Sequence, residues 1–149
     1  MTAVHTEAER ADKMVESARE QVDAFNNADW KQMRAALAPD SRYDELGTER
    51  KVDGPEKIVE LYKSWKQAFP DAAGTVTGGF ASGDTAVLEV TWKGTHTGPL
   101  TTAEGMIPAS GKRQRVPAAI FYTFEGDTIK ECRHYFDSQT LLRQIGAQK

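Results

Sequence analysis

Cysteine is nearly absent from this chain. Of 149 residues only Cys132 carries a thiol. One thiol cannot close an internal disulfide, so no disulfide framework supports the fold. That fits a reducing compartment, and a cytoplasmic location is expected. Long apolar runs are missing too. No stretch approaches the ~20 apolar residues of a membrane span, and the N-terminal MTAVHTEAERADK is polar and acidic, without the apolar centre of a secretory signal. Basic charge is not in excess: 19 Lys and Arg stand against 22 Asp and Glu, a net charge of −3. Nucleic-acid binders carry a basic face, so nucleic acid is disfavoured as a partner, and so is a membrane. The densest basic run, Lys112, Arg113 and Arg115, sits beside Gly111 and reads as a solvated hairpin tip. The three histidines, His5, His96 and His134, are not paired with each other, Cys132 or a carboxylate cluster at ligand spacing. No metal site is expected from them. No GxSxG motif is present, and Gly78-Gly79 and the GTHTG stretch lack the lysine and following helix of a phosphate loop.

What is present is an ordered alternation of periods. Met14, Ala18, Val22 and Phe25 fall on one helical stripe. Asn26 to Asp29 breaks that helix, and Asp29 is placed to cap a second, short one carrying Trp30, Met33 and Leu37 before Pro39-Asp40. Tyr43, Asp44 and Glu45 lie in a brief strand. Asp53-Gly54-Pro55-Glu56 predicts a helix start, with Asp53 and Glu56 in a capping-box arrangement and Pro55 at the first position. Ile58, Leu61, Trp65 and Phe69 continue that helix until Pro70-Asp71. From Gly74 the period becomes two. Ala86, Leu88, Val90 and Trp92 form one strand face, and Thr85, Glu89, Thr91 and Lys93 the other. Arg115 to Phe124 is apolar on both faces, so both faces are expected to be buried. Thr128 to His134 closes the sheet, with Lys130, Cys132 and His134 at alternate positions, and a short helix follows. Helices early and strands late predict one α+β domain over residues 1–149, with four antiparallel strands in its late sheet.

The segment that concentrates titratable chemistry is the last strand and its exit. Cys132 and His134 share a strand face about 7 Å apart, too far for a direct thiolate–imidazole bond, and a buried cysteine acts as a small apolar residue. Acid–base work in a pocket remains. His134 titrates near neutrality and can give and take a proton; it is equally well read as a core histidine satisfied by a backbone carbonyl. Its candidate neighbours are Asp137, Tyr43, Asp44, Glu45, Glu104, Tyr122 and His96. Asp137 precedes Ser138 and Thr140-Leu141-Leu142, which favours a helix cap. Trp65, Trp92 and Phe121 are candidate cavity walls, or plain core.

WKGTHTGPL (Trp92 to Leu100), IPASGKR (Ile107 to Arg113) and GDTIKECRHYFDSQTLLRQIG (Gly126 to Gly146) resemble the SnoaL-like polyketide cyclases and their ester-cyclase relatives, in the nuclear transport factor 2-like superfamily. The resemblance implies a cone: a curved antiparallel sheet wrapped around three helices, with an apolar pocket at the open end and a short C-terminal helix. It implies a homodimer formed through the outer sheet face. Such cyclases close a ring by an intramolecular aldol reaction, using an aspartate on the last strand and a histidine on its neighbour. Here His134 stands at the aspartate position and the neighbouring histidine falls near Ala119.

Together these readings predict a cofactor-free enzyme moving a proton next to a carbonyl in a small apolar substrate, by aldol-type cyclisation or isomerisation. Its catalytic residues would be His134, with Asp137 capping and orienting, and its pocket residues Tyr43, Trp65, Trp92 and Phe121. Two alternatives stay open: a non-catalytic domain that binds a small apolar ligand, and an epoxide or lactone hydrolase using Asp44 or Glu104.

Overall fold

The computed structural model describes residues 6–147; His5 lies outside them. Helix α1 (Glu7–Asn26) starts at Thr6, whose hydroxyl accepts the Glu9 N–H, and buries Met14, Ala18, Val22 and Phe25. Helix α2 (Trp30–Ala35) is capped by Asp29 as its sequence predicts. Strand β1 (Leu37–Glu45) follows directly and turns into β2 (Arg50–Asp53). Helix α3 (Pro55–Ala68) buries Ile58, Leu61 and Tyr62. The remaining elements are β3 (Ala73–Ser82), β4 (Thr85–Thr95), the hairpin β5 (Leu100–Thr102) and β6 (Gly105–Ile107), β7 (Arg113–Glu125), β8 (Thr128–Phe136) and α4 (Ser138–Gln144). Among the described residues no helix is long and apolar enough to cross a membrane.

Six strands form one sheet in the order β2-β1-β8-β7-β4-β3, and β5-β6 stands apart as a two-stranded flap. Register shifts interrupt the β1–β8, β3–β4 and β7–β8 ladders. Bulges bend strands and raise their twist, so the sheet curves around the helices. The α+β class, the curved sheet and the short terminal helix agree with expectation.

Several details differ from it, each for a local reason. The sheet is mixed, because β1 pairs parallel to β8. The turn before α3 uses Gly54 (φ 91°) as its cap with no side-chain bond, while Asp53 belongs to β2 and accepts a bond from Arg42 (3.2 Å). Strand β7 alternates: Gln114, Val116, Ala118, Ile120, Tyr122 and Phe124 are buried, and the opposite residues are exposed or half-buried. In β8 a register shift beside Lys130 moves that residue off the face of Cys132, so Ile129 and Cys132 are both buried. Lys130 pairs with Asp40 at the surface.

Two tight contacts tie the end of α3 to the end of β4 and the loop that follows it. Asp71, just past α3, accepts both the backbone N–H (2.6 Å) and the hydroxyl (2.7 Å) of Thr95 at the end of β4. Gly98 lies flat on the last turn of α3, donating its N–H to the Ala68 carbonyl (3.1 Å).

Candidate functional site

The parallel pairing of β1 with β8 builds the site. It sets Tyr43 beside Cys132 and Glu45 beside His134 in register. Tyr43, Glu45 and His134 are all buried, so a tyrosine, a carboxylate and an imidazole meet on the inner face of the sheet.

Their hydrogen bonds run in one direction. The Trp92 indole Nε1–H donates to His134 Nε2 (3.1 Å). An indole can only donate, so Nε2 must be the acceptor and the imidazole is neutral with its proton on Nδ1. Nδ1–H then donates to the Tyr43 oxygen (2.8 Å), and Tyr43 O–H donates to Glu45 Oε2 (2.9 Å). Glu45 gathers donors on both oxygens. Trp65 Nε1–H reaches Oε2 (2.9 Å). Thr48 Oγ1 (2.5 Å), Arg50 Nε (3.0 Å) and Arg50 Nη2 (2.8 Å) reach Oε1. The Arg50 guanidinium also lies over the Trp65 ring at 5.3 Å.

This arrangement decides the charge states. Burial works to raise the Glu45 carboxyl, but Arg50, the Thr48 hydroxyl, His134 and the Trp65 N–H outweigh it and hold it below the usual carboxylate range. Burial pushes the His134 imidazolium down to about 4, against the opposite pull of Glu45. Burial, then the Glu45 charge, raises the Tyr43 phenol well above its ordinary value. Near neutral pH the site therefore holds a charged Glu45, a neutral Tyr43 and a neutral His134.

His134 borders a narrow cavity of about 50 Å³. Its walls are mostly apolar, with Trp65, Phe69, Trp92, Val116, Phe136 and Leu141 among them, and Gln114 and Tyr62 join His134 as polar lining residues. A wider cleft of about 370 Å³ lies outside, between Leu46–Arg50, the β5-β6 flap and α4. Trp65, Phe136 and Leu141 line both spaces and stand between them.

The expected site residues separate accordingly. Trp65 and Trp92 line the cavity beside His134. Tyr43 stands behind the imidazole and does not touch the cavity. Phe121 is on the outward face of β7, against Tyr135 and under Arg133 (4.9 Å); the apolar character of both β7 faces hid which one turns inward. Asp137 is exposed and caps α4, accepting the Thr140 N–H (3.0 Å) and hydroxyl (2.6 Å). Ala119 faces outward opposite Tyr135, and the residue paired with His134 on β7 is Ile120. Trp92, one strand further on, supplies the polar neighbour instead.

Of the other candidates, Asp44 is paired in register with Lys51 and Arg133, and Glu104 is exposed on the flap; neither lines the cavity. Burial raises the Cys132 thiol far from any reactive range. His96 is buried; its Nδ1 accepts the Ser110 N–H (3.2 Å), and it does not line the cavity. Among the described residues no group of three or more His, Cys, Asp or Glu is placed to hold a metal ion. Gln114, Tyr62 and Phe136 are among the cavity residues that sequence reasoning missed. The two-residue spacing of Gln114 from Val116 was the available signal.

Comparison with known proteins agrees with this architecture. A protein of Jannaschia sp. CCS1 assigned to the SnoaL-like polyketide cyclases superposes with a TM-score of 0.84 at 20% identity, over 100% of both chains. TsrD from Streptomyces laurentii gives 0.77 at 26% identity, over 91% of this chain and 96% of its own. An M. tuberculosis LEH-like epoxide hydrolase gives 0.70 at 16% identity, over 91% of each chain. No curated protein matches. The sequence pattern of one family, described as SnoaL-like polyketide cyclase, matches residues 16–145, from the first helix through α4. The chain belongs to the SnoaL-like polyketide cyclase family.

Proposed function

We propose that this protein is a cofactor-free enzyme that moves a proton next to a carbonyl group in a small apolar substrate, as in aldol-type cyclisation or isomerisation. His134 is its general base, acting through Nε2. The observation that carries this reading is the fixed tautomer: a neutral imidazole on a residue that lines an apolar cavity, with its proton on Nδ1 and its accepting Nε2 held by the Trp92 N–H. A conjugate acid near 4 leaves the base free at neutral pH. Carbon acids beside a carbonyl are deprotonated by bases of this strength when the developing oxyanion is stabilised.

The hydrogen-bond chain supplies that coupling. When Nε2 takes a proton from the carbon next to the carbonyl, it stops accepting from Trp92. The freed indole N–H then needs an acceptor, and the enolate oxygen formed in the same step is one. The new imidazolium is stabilised through Tyr43 by the charge on Glu45, which Arg50, Thr48 and Trp65 keep in place. His134 and Trp92 are thus catalytic residues, Tyr43 and Glu45 positioning residues, and Asp137 a helix cap. The convex sheet face, where Phe80 and Tyr135 are exposed, is the surface proposed for a homodimer. The lone reduced thiol fits a cytoplasmic enzyme.

A second reading, a non-catalytic binding domain, is favoured by the Trp92 bond, which occupies Nε2. Deuterium uptake from D2O into cyclohexanone and longer 2-alkanones, followed by NMR, separates the two. Enzymatic exchange that His134→Ala abolishes supports the base. Exchange equal in the wild type and His134→Ala removes His134 from the mechanism. Saturable binding without exchange favours the second reading.

A further inference from the structure

Gln114 and Tyr62 are polar lining residues of the cavity that the proposed chemistry leaves unused, and of the two only Gln114 has a buried side-chain atom without a partner among the described residues. It enters from β7 and is 6% exposed, and its Oε1 is buried without a hydrogen-bond partner among the described residues. A buried amide oxygen without a partner is destabilising, and native interiors rarely keep one. The surroundings offer no relief: Phe69, Ala72, Val116 and Leu141 line the same space with apolar atoms. Nor is the position loose. The next residue, Arg115, is clipped to α4 through its backbone, donating its N–H to Gln144 Oε1 (2.7 Å) and accepting Gln144 Nε2–H (3.0 Å). Gln114 is paired in register with Gly94, six residues along β7 from Ile120, which pairs with His134. Gln114 is therefore a polar place in the cavity separate from His134 with Trp92.

We infer that Gln114 is a ligand-anchoring residue, and that the cavity takes a hydroxylated carbonyl compound: a carbonyl at His134 and Trp92, an apolar body, and a hydroxyl that donates to Gln114 Oε1. The carbonyl end rests on the reading given above; the hydroxyl end rests on Gln114 alone. An acceptor that lacks a donor selects O–H or N–H, and burial among apolar walls disfavours a carboxylate at this end. Discrimination of this kind is strong because the analogue without the hydroxyl leaves the amide oxygen unpaired.

The test compares three ligands by calorimetry: cyclohexanone, 4-hydroxycyclohexanone and 4-oxocyclohexanecarboxylate. The wild type is expected to prefer the hydroxyketone to cyclohexanone by about 10-fold and to reject the carboxylate. Gln114→Met is expected to lose that preference while still binding cyclohexanone. Without ligand, Gln114→Met is also expected to raise Tm by about 2–4 °C, since it removes an unpaired buried amide. An equal preference in wild type and variant, binding of neither ketone to the wild type, or a lower Tm for Gln114→Met overturns the assignment. The anchor and the base fail separately. A His134→Ala protein that keeps the Gln114-dependent preference but shows unchanged deuterium exchange retains the anchor and loses the base.

Discussion

Replacing Glu45 with glutamine tests the buried network at its most loaded point. Glu45 is fully buried and accepts from Tyr43, Trp65, Thr48 and twice from Arg50. An amide has one accepting oxygen and one donating nitrogen. The hydroxyls of Tyr43 and Thr48 can turn round; the N–H groups of Trp65 and Arg50 cannot. Whichever way the amide points, a donor faces a donor. If its nitrogen faces Trp65, Tyr43 also reverses and donates to His134 Nδ1. The imidazole proton then moves to Nε2, against the Trp92 N–H. Loss of charge-assisted bonds contributes about 1.5–3 kcal/mol and an unpaired buried donor about 1–3 kcal/mol. Arg50 is 28% exposed and regains water, which discounts the sum to about 3 kcal/mol. For a chain of this size that lowers Tm by about 6–12 °C. The same change removes the charge that stabilises the His134 imidazolium. At a separation on the order of 6 Å and an effective dielectric constant of about 20, that attraction is about 3 kcal/mol, so ketone deuterium exchange falls by about 100-fold. Thermal unfolding and exchange rates measure the two effects, and Tyr43→Phe serves as a control that cuts the chain but leaves the carboxylate. A Glu45→Gln protein within about 1 kcal/mol of wild type, with its imidazole proton still on Nδ1 by 15N NMR, would refute the reasoning.

Three other outcomes follow from single features. His134 has its pKa depressed to about 4 in the fold from an ordinary 6.5, so the unfolded chain binds more protons between those values. Its contribution is complete above pH 6.5 and is lost as pH falls towards 4, a difference of about 3 kcal/mol; urea unfolding at pH 7 and pH 4.5 should show this loss in the wild type and lack it in His134→Asn, and equal losses would count against it. In Gly98→Ala the new Cβ would lie 1.9 Å from the Gln67 carbonyl oxygen, so α3 and the following loop must separate at a cost of about 2 kcal/mol or more; a Tm drop under about 2 °C would contradict the contact. Asp137→Ala removes the α4 cap and costs about 1 kcal/mol, with exchange per folded molecule unchanged; a larger loss of exchange than of folded protein would return Asp137 to the chemistry.

Much of the fold was legible because its elements announce themselves locally. The stripe Met14, Ala18, Val22, Phe25 and the alternation Ala86, Leu88, Val90, Trp92 each turn inward as their periods require. His134 was legible as an inward residue of the closing strand, and Asp137 as a cap from the residues after it. The β1–β8 pairing was not, since no local period records which strand lies beside another nearly ninety residues away. Glu45 stood among the candidate neighbours of His134, but its burial depends on donors from Trp65, Thr48 and Arg50 that only the folded chain assembles. Phe121 was misplaced because β7 is apolar on both faces. Its inward set includes Gln114, a residue type ordinarily read as outward.

The departure at the last strand now has a physical account. Resemblance to the cyclases places an aspartate where this chain has His134, and a lone buried carboxylate would need its pKa raised to keep a proton near neutrality. Here the two duties are divided. The charge resides on Glu45, where five hydrogen bonds keep it ionised, and the proton chemistry is assigned to an imidazole that burial keeps neutral. Tyr43 joins them, with its phenol held neutral by the same burial and by the charge it touches. The division has a consequence for substitution at position 134. His134→Asp would place a second carboxylate within two hydrogen bonds of Glu45, with Tyr43 able to donate to only one of them. Like charges that close do not both ionise, so the new aspartate would be protonated near neutral pH and would be a poor base. Restoring the family aspartate alone should therefore not restore exchange. Combining it with Glu45→Gln removes the competing charge, and exchange higher in the double variant than in His134→Asp is the expected result. A single variant as active as wild type would mean that Glu45 does not govern the site.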